Sequence, residues 1–129
     1  MDDLKSYFEN TKGTGIISTA DSDGNVDCAI YARPHVMEDG SLAMIMRDRL
    51  SHKNLQSNPK AAYMFIEGGP GYKGKRLFLT KLKEEQDSQL IDSLKRRSYP
   101  EEHDLNAEAR FLVFFQVDKV LPLVGPGKK

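Results

Sequence analysis

The chain has 129 residues, 19 Lys and Arg against 19 Asp and Glu, 39% hydrophobic residues and a single cysteine. Folding a chain of this length leaves about 6,900 Å² exposed of about 21,000 Å², so one domain over 1–129 can hold a core without metal or disulfide staples. Balanced charge with 29% charged residues excludes an acidic disordered chain and speaks against a broadly basic nucleic-acid binder.

Cys28, alone, can neither close an internal disulfide nor build a cysteine-rich zinc site. The opening Met1-Asp2-Asp3-Leu4-Lys5 lacks the basic and apolar regions of a secretory signal. The longest apolar run, Phe111 to Phe115, falls far short of the roughly 20 residues that span a bilayer. A cytoplasmic protein with no membrane partner is the expectation.

Leu4, Tyr7 and Phe8 recur at helical spacing and predict an N-terminal helix within 1–12, stopped by Gly13 and Gly15. Ile16 to Ala20 then reads as a strand, and Asp21-Ser22-Asp23-Gly24-Asn25 as a hairpin turn. In the next strand Val26, Cys28, Ile30 and Ala32 share one face, which places Cys28 in the core. A second turn at Glu38-Asp39-Gly40 precedes an apolar strand, Leu42 to Met46. Arg47 to Asn58 loses the alternation and enters a short helix that Pro59 ends. Ala61 to Glu67 is a strand, Gly68 to Gly74 a glycine-rich connection, and Lys75 to Lys83 a strand again. Asp87 or Ser88 can cap a helix reaching about Arg97, with Leu90, Ile91 and Leu94 inward. A polar loop leads to a last strand, Arg110 to Val120, and an extended tail over 122–129. Helices do not follow every strand, so the expected fold is mainly β with short helices: a six-stranded antiparallel barrel.

Several motifs are weaker than they look. Gly69-Pro70-Gly71-Tyr72-Lys73-Gly74 fits the dinucleotide fingerprint, and with Lys75 it nearly fits a P-loop. Both need a helix next, whereas strand periodicity follows, and Arg76 stands where a P-loop has Ser or Thr. The 21–25 run lacks the glutamate a calcium loop carries at its twelfth position, where Ala32 stands. His35, His52 and His103 are scattered, so no metal site is expected. Lys73, Lys75, Arg76, Lys81 and Lys83 around Tyr72 and Phe78 offer a nucleic-acid surface, but lysines on a strand edge are commonly protective, and nucleic acid is not expected as a partner.

The constellation that stands out is Arg47, Arg49, Ser51, His52 and Lys53, where a buried strand opens into a helix. Cationic and hydroxyl donors converging with the N–H groups of a helix start suit a phosphate.

With these residues in view, the order from Gly15 to Glu84 resembles the FMN-binding split-barrel family related to pyridoxamine 5'-phosphate oxidase, and its small FMN-binding members in particular. The similar pieces are the strand Gly15 to Ala20, the segment Ala29-Ile30-Tyr31-Ala32-Arg33, Ser51-His52-Lys53, the Gln56-Ser57-Asn58-Pro59-Lys60-Ala61 step and the Gly69-Pro70-Gly71 turn. The resemblance implies a six-stranded split barrel and a homodimer with FMN in each interface cleft. It implies that His52 and Lys53 meet the FMN phosphate, assisted by Ser51 and Arg47. It lays Ile30, Tyr31, Ala32 and Arg33 along the flavin, Met46 beside the ring, and Arg76 at the second subunit. Residues 123–129 do not match the C-terminal Arg/His motif of the larger oxidases, which points away from vitamin B6 oxidation. The function expected is an FMN-dependent oxidoreductase using NAD(P)H or another reductant on a small molecule. The alternative is a non-enzymatic electron carrier or redox sensor.

Overall fold

The computed structural model describes residues 3–86, 88–94 and 109–126. Helix α1 (Leu4–Asn10) begins where the Asp3 carboxylate accepts from the Ser6 N–H at 3.1 Å, satisfying one orphan donor of the first turn. It buries Leu4 and Phe8. The helix ends before Lys12, and the two glycines expected to stop it lie inside strand β1 (Gly13–Ala20). Gly15 is there for close approach rather than termination. A Cβ at Gly15 would stand 1.8 Å from the Tyr63 hydroxyl, and that hydroxyl donates to the Ala32 carbonyl at 3.0 Å.

Strand β2 (Val26–Tyr31) pairs antiparallel with β1. In the turn between them the Asp21 carboxylate accepts from the Asp23 and Asn25 N–H groups, each at 2.9 Å, which accounts for the Asp/Asn run as turn chemistry. The alternation in β2 is as expected, but its apolar set points outward. Asp27, Ala29 and Tyr31 are half-buried, while Val26 and Ile30 are 82% and 78% exposed. Cys28, expected in the core, is exposed, because β2 is an edge strand with nothing over its outer side among the described residues.

Strand β3 (His35–Val36) pairs with β4 (Leu42–Arg47) across a turn where Gly40 has φ 89°. Two residues following Pro34 cannot display a period, and this strand corrects the expected six to seven. Helix α2 (Leu50–Ser57), β5 (Lys60–Glu67), β6 (Gly74–Glu85), α3 (Ser88–Leu94) and β7 (Arg110–Pro122) complete the order. The glycine-rich connection leads into β6, so neither phosphate-loop motif has its helix. Strand β7 runs two residues beyond Val120 and takes in the start of the expected tail. The Asp87 cap, the extension of α3 to Arg97, the following loop with His103, and 127–129 lie outside the described residues.

All strands join one antiparallel sheet in the order β2-β1-β5-β6-β7-β4-β3. Ile17 of β1, Tyr63 of β5, Leu77 of β6, Phe115 of β7 and Met44 of β4 share one buried cluster. Strands far apart in the sheet order meet in that core, so the sheet is curled. Its edges β2 and β3 do not pair, and the barrel is split. Helix α2 touches β1, β2 and β4, and bridges from one side of the split toward the other.

The outer surface is divided. Ile91 of α3 packs on Ala43, Leu112 and Phe114, covering the β4–β7 side. On the β2-β1-β5-β6 side, Ile30, Ile16, Met64 and Arg76 follow one another in register on the outward positions. Among the described residues, no helix is long and apolar enough to cross a membrane.

Gly15→Ala should lower stability by about 3 kcal/mol, the upper end of the overpacking range, because the Tyr31 carbonyl, 2.7 Å from the added Cβ, also blocks relaxation. An unchanged denaturant midpoint would show that Tyr63 does not occupy this position.

Candidate functional site

Strand β4 ends at Arg47, and α2 begins three residues later. The N-cap position, Arg49, has extended backbone, and no side chain caps the helix. The first-turn N–H groups thus lack a side-chain acceptor, at the positive end of the helix dipole. The helix is held firmly. Asn54 Nδ2 donates to Thr19 Oγ1 at 3.0 Å in a buried contact, Leu55 enters the core, and the Ser22 N–H donates to Ser57 Oγ at 3.2 Å.

Around this helix start the structure gathers residues from two strands. Ser51 is 4% exposed, and its hydroxyl donates to Asp27 Oδ2 of β2 at 3.2 Å. The Tyr31 phenol lies in the same place. Burial pushes its pKa up and the Asp27 charge adds to this, while the Arg49 charge and a hydrogen bond with Ser51 oppose it. Lys53, one residue beyond His52, is exposed. Arg47 is half-buried at the strand end. Arg49, whose charge acts on the Tyr31 phenol, therefore stands at an uncapped helix start beside the buried Ser51 hydroxyl, with Arg47 three residues before the helix and Lys53 two residues past Ser51 in sequence. This donor set fits a phosphate. Within it the Asp27 carboxylate accepts from Ser51, and nothing in the sequence pattern singles Asp27 out.

His52 points elsewhere. It is 6% exposed and stacks on Phe111 of β7, with ring centroids 3.9 Å apart at 15°. Its Nε2 is 3.0 Å from Glu84 Oε2, and its Nδ1 is 3.3 Å from Asp48 Oδ1. Gln56 Nε2 donates to Glu84 Oε1 at 3.0 Å, and Lys81 Nζ contacts the same carboxylate at 2.6 Å. Burial raises the Glu84 carboxyl, but the bonds from Lys81, Gln56 and His52 outweigh it and hold the group at about 2. Both imidazole nitrogens thus face carboxylates, and the ring ties α2 to β6 and β7. Glu84 gave no signal in the sequence, since His52 and Gln56 reach it from α2, about thirty residues away.

The other expected site residues are dispersed. Arg33 Nη1 donates to the Phe8 and Thr11 carbonyls at 2.7 and 3.0 Å, which fastens the end of α1 to the exit of β2. Ala32 is fixed through its carbonyl by Tyr63. The Met46 side chain is fully buried in the core. Ile30 projects outward. Arg76 is on the outer side of β6, where Nε donates to the Pro122 carbonyl at 2.9 Å and Nη2 to the Gly125 carbonyl.

No family model matches the sequence, and no curated protein matches it. Solved structures do. An FMN-binding protein from Syntrophomonas wolfei subsp. wolfei has a TM-score of 0.73 at 19% identity, over 95% of this chain and 84% of that one. A protein provisionally assigned as a pyridoxamine 5'-phosphate oxidase, from Lactobacillus delbrueckii, has a TM-score of 0.67 at 16% identity, over 94% and 93%. HupZ of Group A Streptococcus has a TM-score of 0.70 at 14% identity, over 100% and 98%. The chain has the split-barrel fold of the pyridoxamine 5'-phosphate oxidase-like proteins. Within this split barrel, the α2 start, the inward face of β2 and the end of β4 form one locality, and the outward row through Ile30 and Arg76 forms another.

The Glu84 cluster makes acid stability testable. The folded carboxyl lies near 2, below its ordinary 4.5, so its contribution is complete above about pH 4.5 and is lost as pH falls toward 2. Denaturant midpoints measured from pH 7 to 2.5 should fall less steeply for Glu84→Gln than for the parent chain. Equal slopes would mean that this carboxylate carries none of the acid sensitivity.

Proposed function

We propose that the protein is an FMN-binding flavoprotein, and specifically an oxidoreductase that passes hydride or electrons between a reductant such as NAD(P)H and a small molecule in the cytoplasm. The observation that carries this reading is the uncapped start of α2 in a split-barrel fold, where the buried Ser51 hydroxyl meets Asp27 of strand β2 and the Arg49 charge acts on Tyr31 of the same strand. A flavin monophosphate presents nearly two negative charges at its end, and charge-assisted bonds from arginine and lysine suit it.

In this reading Lys53, Ser51 and Arg47 hold the phosphate. The backbone of Ile30, Tyr31, Ala32 and Arg33 lines the remainder of the ligand. Tyr63 fixes Ala32, and Arg33 fastens the same segment to α1. Met46 supports the site from the core. His52 serves by holding α2 against Phe111 and Glu84, with Lys53 next along the helix. Bound FMN would itself supply the hydride- or electron-accepting centre, so the chain needs no catalytic dyad. The protein residues bind, orient and shield.

The reading includes a homodimer. The β2-β1-β5-β6 outer side carries Ile30, Ile16 and Met64 in one row, flanked by Val26 and ending at Arg76. A second copy packed there would bury the exposed apolar positions and bring Arg76 to the interface. An exposed apolar patch of this kind marks an interaction surface.

A visible spectrum of the purified protein, followed by FMN reconstitution, tests the central claim. The expected result is flavin absorbance, and a colourless protein that cannot be reconstituted would overturn it. Steady NAD(P)H consumption above that of free FMN supports the enzyme, while flavin binding without turnover favours the electron carrier or redox sensor. Lys53→Ala should weaken FMN binding by roughly 1.5–3 kcal/mol, the range for hydrogen bonds to charged groups, and unchanged affinity would move the phosphate elsewhere. Ile30→Asp should turn a dimer into a monomer in sedimentation, and a dimer that persists would place the subunit contact on another face.

A further inference from the structure

We propose that Asp27 sets the selectivity of the α2 cradle toward the charge on a ligand's end, by engaging the Ser51 hydroxyl as an internal anion that a phosphate must displace. This rests on the reading of the cradle as an FMN site.

Three observations lead there. Asp27 is one of the three inward residues of β2, with Ala29 and Tyr31, so the pleat aims its carboxylate at α2 rather than at solvent. Its Oδ2 lies 3.2 Å from Ser51 Oγ, and that hydroxyl is buried. A serine hydroxyl has one proton to donate. Ser51 therefore serves either the Asp27 carboxylate or a phosphate oxygen, and cannot donate to both.

When a phosphate takes the Ser51 proton, Asp27 loses its donor and stays beside a dianion. Like charges a few ångströms apart disfavour the bound state, and the penalty is larger where water is partly excluded. Arg49 and Tyr31 are the other groups of this place. The Arg49 charge acts on the Tyr31 phenol together with that of Asp27, so a cation stands close enough to attract the displaced carboxylate. The penalty is reduced and not abolished. A flavin with a neutral ribityl end meets no such repulsion. Asp27 thus lowers the preference for FMN over riboflavin below what Lys53, Ser51 and Arg47 would set by themselves.

The experiment is calorimetric titration of the apoprotein with FMN and with riboflavin, for the parent chain, Asp27→Asn and Asp27→Ala. The Asn variant keeps the shape and removes the charge, while the Ala variant also removes the acceptor and leaves Ser51 only its hydrogen bond with Tyr31. Denaturant midpoints confirm that both fold. In both variants FMN should bind about tenfold more tightly, equivalent to about 1.4 kcal/mol, with riboflavin changed by less than about twofold. The gain should shrink in high salt, as an electrostatic effect does at a partly exposed site. FMN affinity that is unchanged or weaker in both variants overturns the inference, and so does equal tightening for both flavins. Failure of the underlying reading looks different. There the parent chain binds FMN no better than riboflavin, and Lys53→Ala changes neither.

Discussion

A curled sheet whose two edges do not pair must be kept curled by something other than strand hydrogen bonds. In this protein the seat of α2 does that. Asn54 reaches Thr19 of β1, Ser51 reaches Asp27 of β2, and His52 lies between Phe111 of β7 and Glu84 of β6. One eight-residue helix is therefore fixed to four strands on both sides of the split. The helix contributes only Leu55 to the main apolar cluster, so its position rests largely on polar contacts. Each of those is favourable only while its partners are kept away from water.

The same polar contacts divide the charges near the helix start. Glu84, Asp48, Gln56 and Lys81 gather around His52 on the side facing β6 and β7. Lys53, the next residue along the helix, is exposed, and Ser51 on the helix start meets Asp27 on the inward face of β2. A contiguous basic run in the sequence thus becomes two electrostatic environments. One surrounds the His52 ring, and the other surrounds the Ser51–Asp27 contact.

Much of this was legible in the chain. Periods of two located β1, β2 and β6, which bury one face more than the other, and a continuous apolar run located β4, which is buried on both. Pro59 marked the end of α2, since proline removes a backbone donor and fixes its own φ. Three features were not legible, each for a physical reason. Alternation shows that a strand has two faces but not which one meets the core, and so Cys28 emerged on the surface. Gly13 and Gly15 carry a helix-stop signal locally, yet their need for glycine comes from Ile66 and Tyr63 on a strand some fifty residues away. Strand β3 has no period because it has only two residues. In the site, the cations, Ser51 and the helix start were readable as local chemistry. Asp27 and Glu84 were not, because each acquires its meaning from a residue that only the fold brings near.

The outward apolar side chains of β2 also have a cost. This edge strand has regular alternation and exposed Val26, Cys28 and Ile30, and its free backbone groups invite another strand to add to the sheet. Such edges seed fibrillar association unless something spoils the template. Asp27, the second residue of the strand with its charge turned inward, is that kind of spoiler. An inward charge on an edge strand makes edge-to-edge stacking of chains costly, because a flat strand added there would leave that carboxylate without its Ser51 partner.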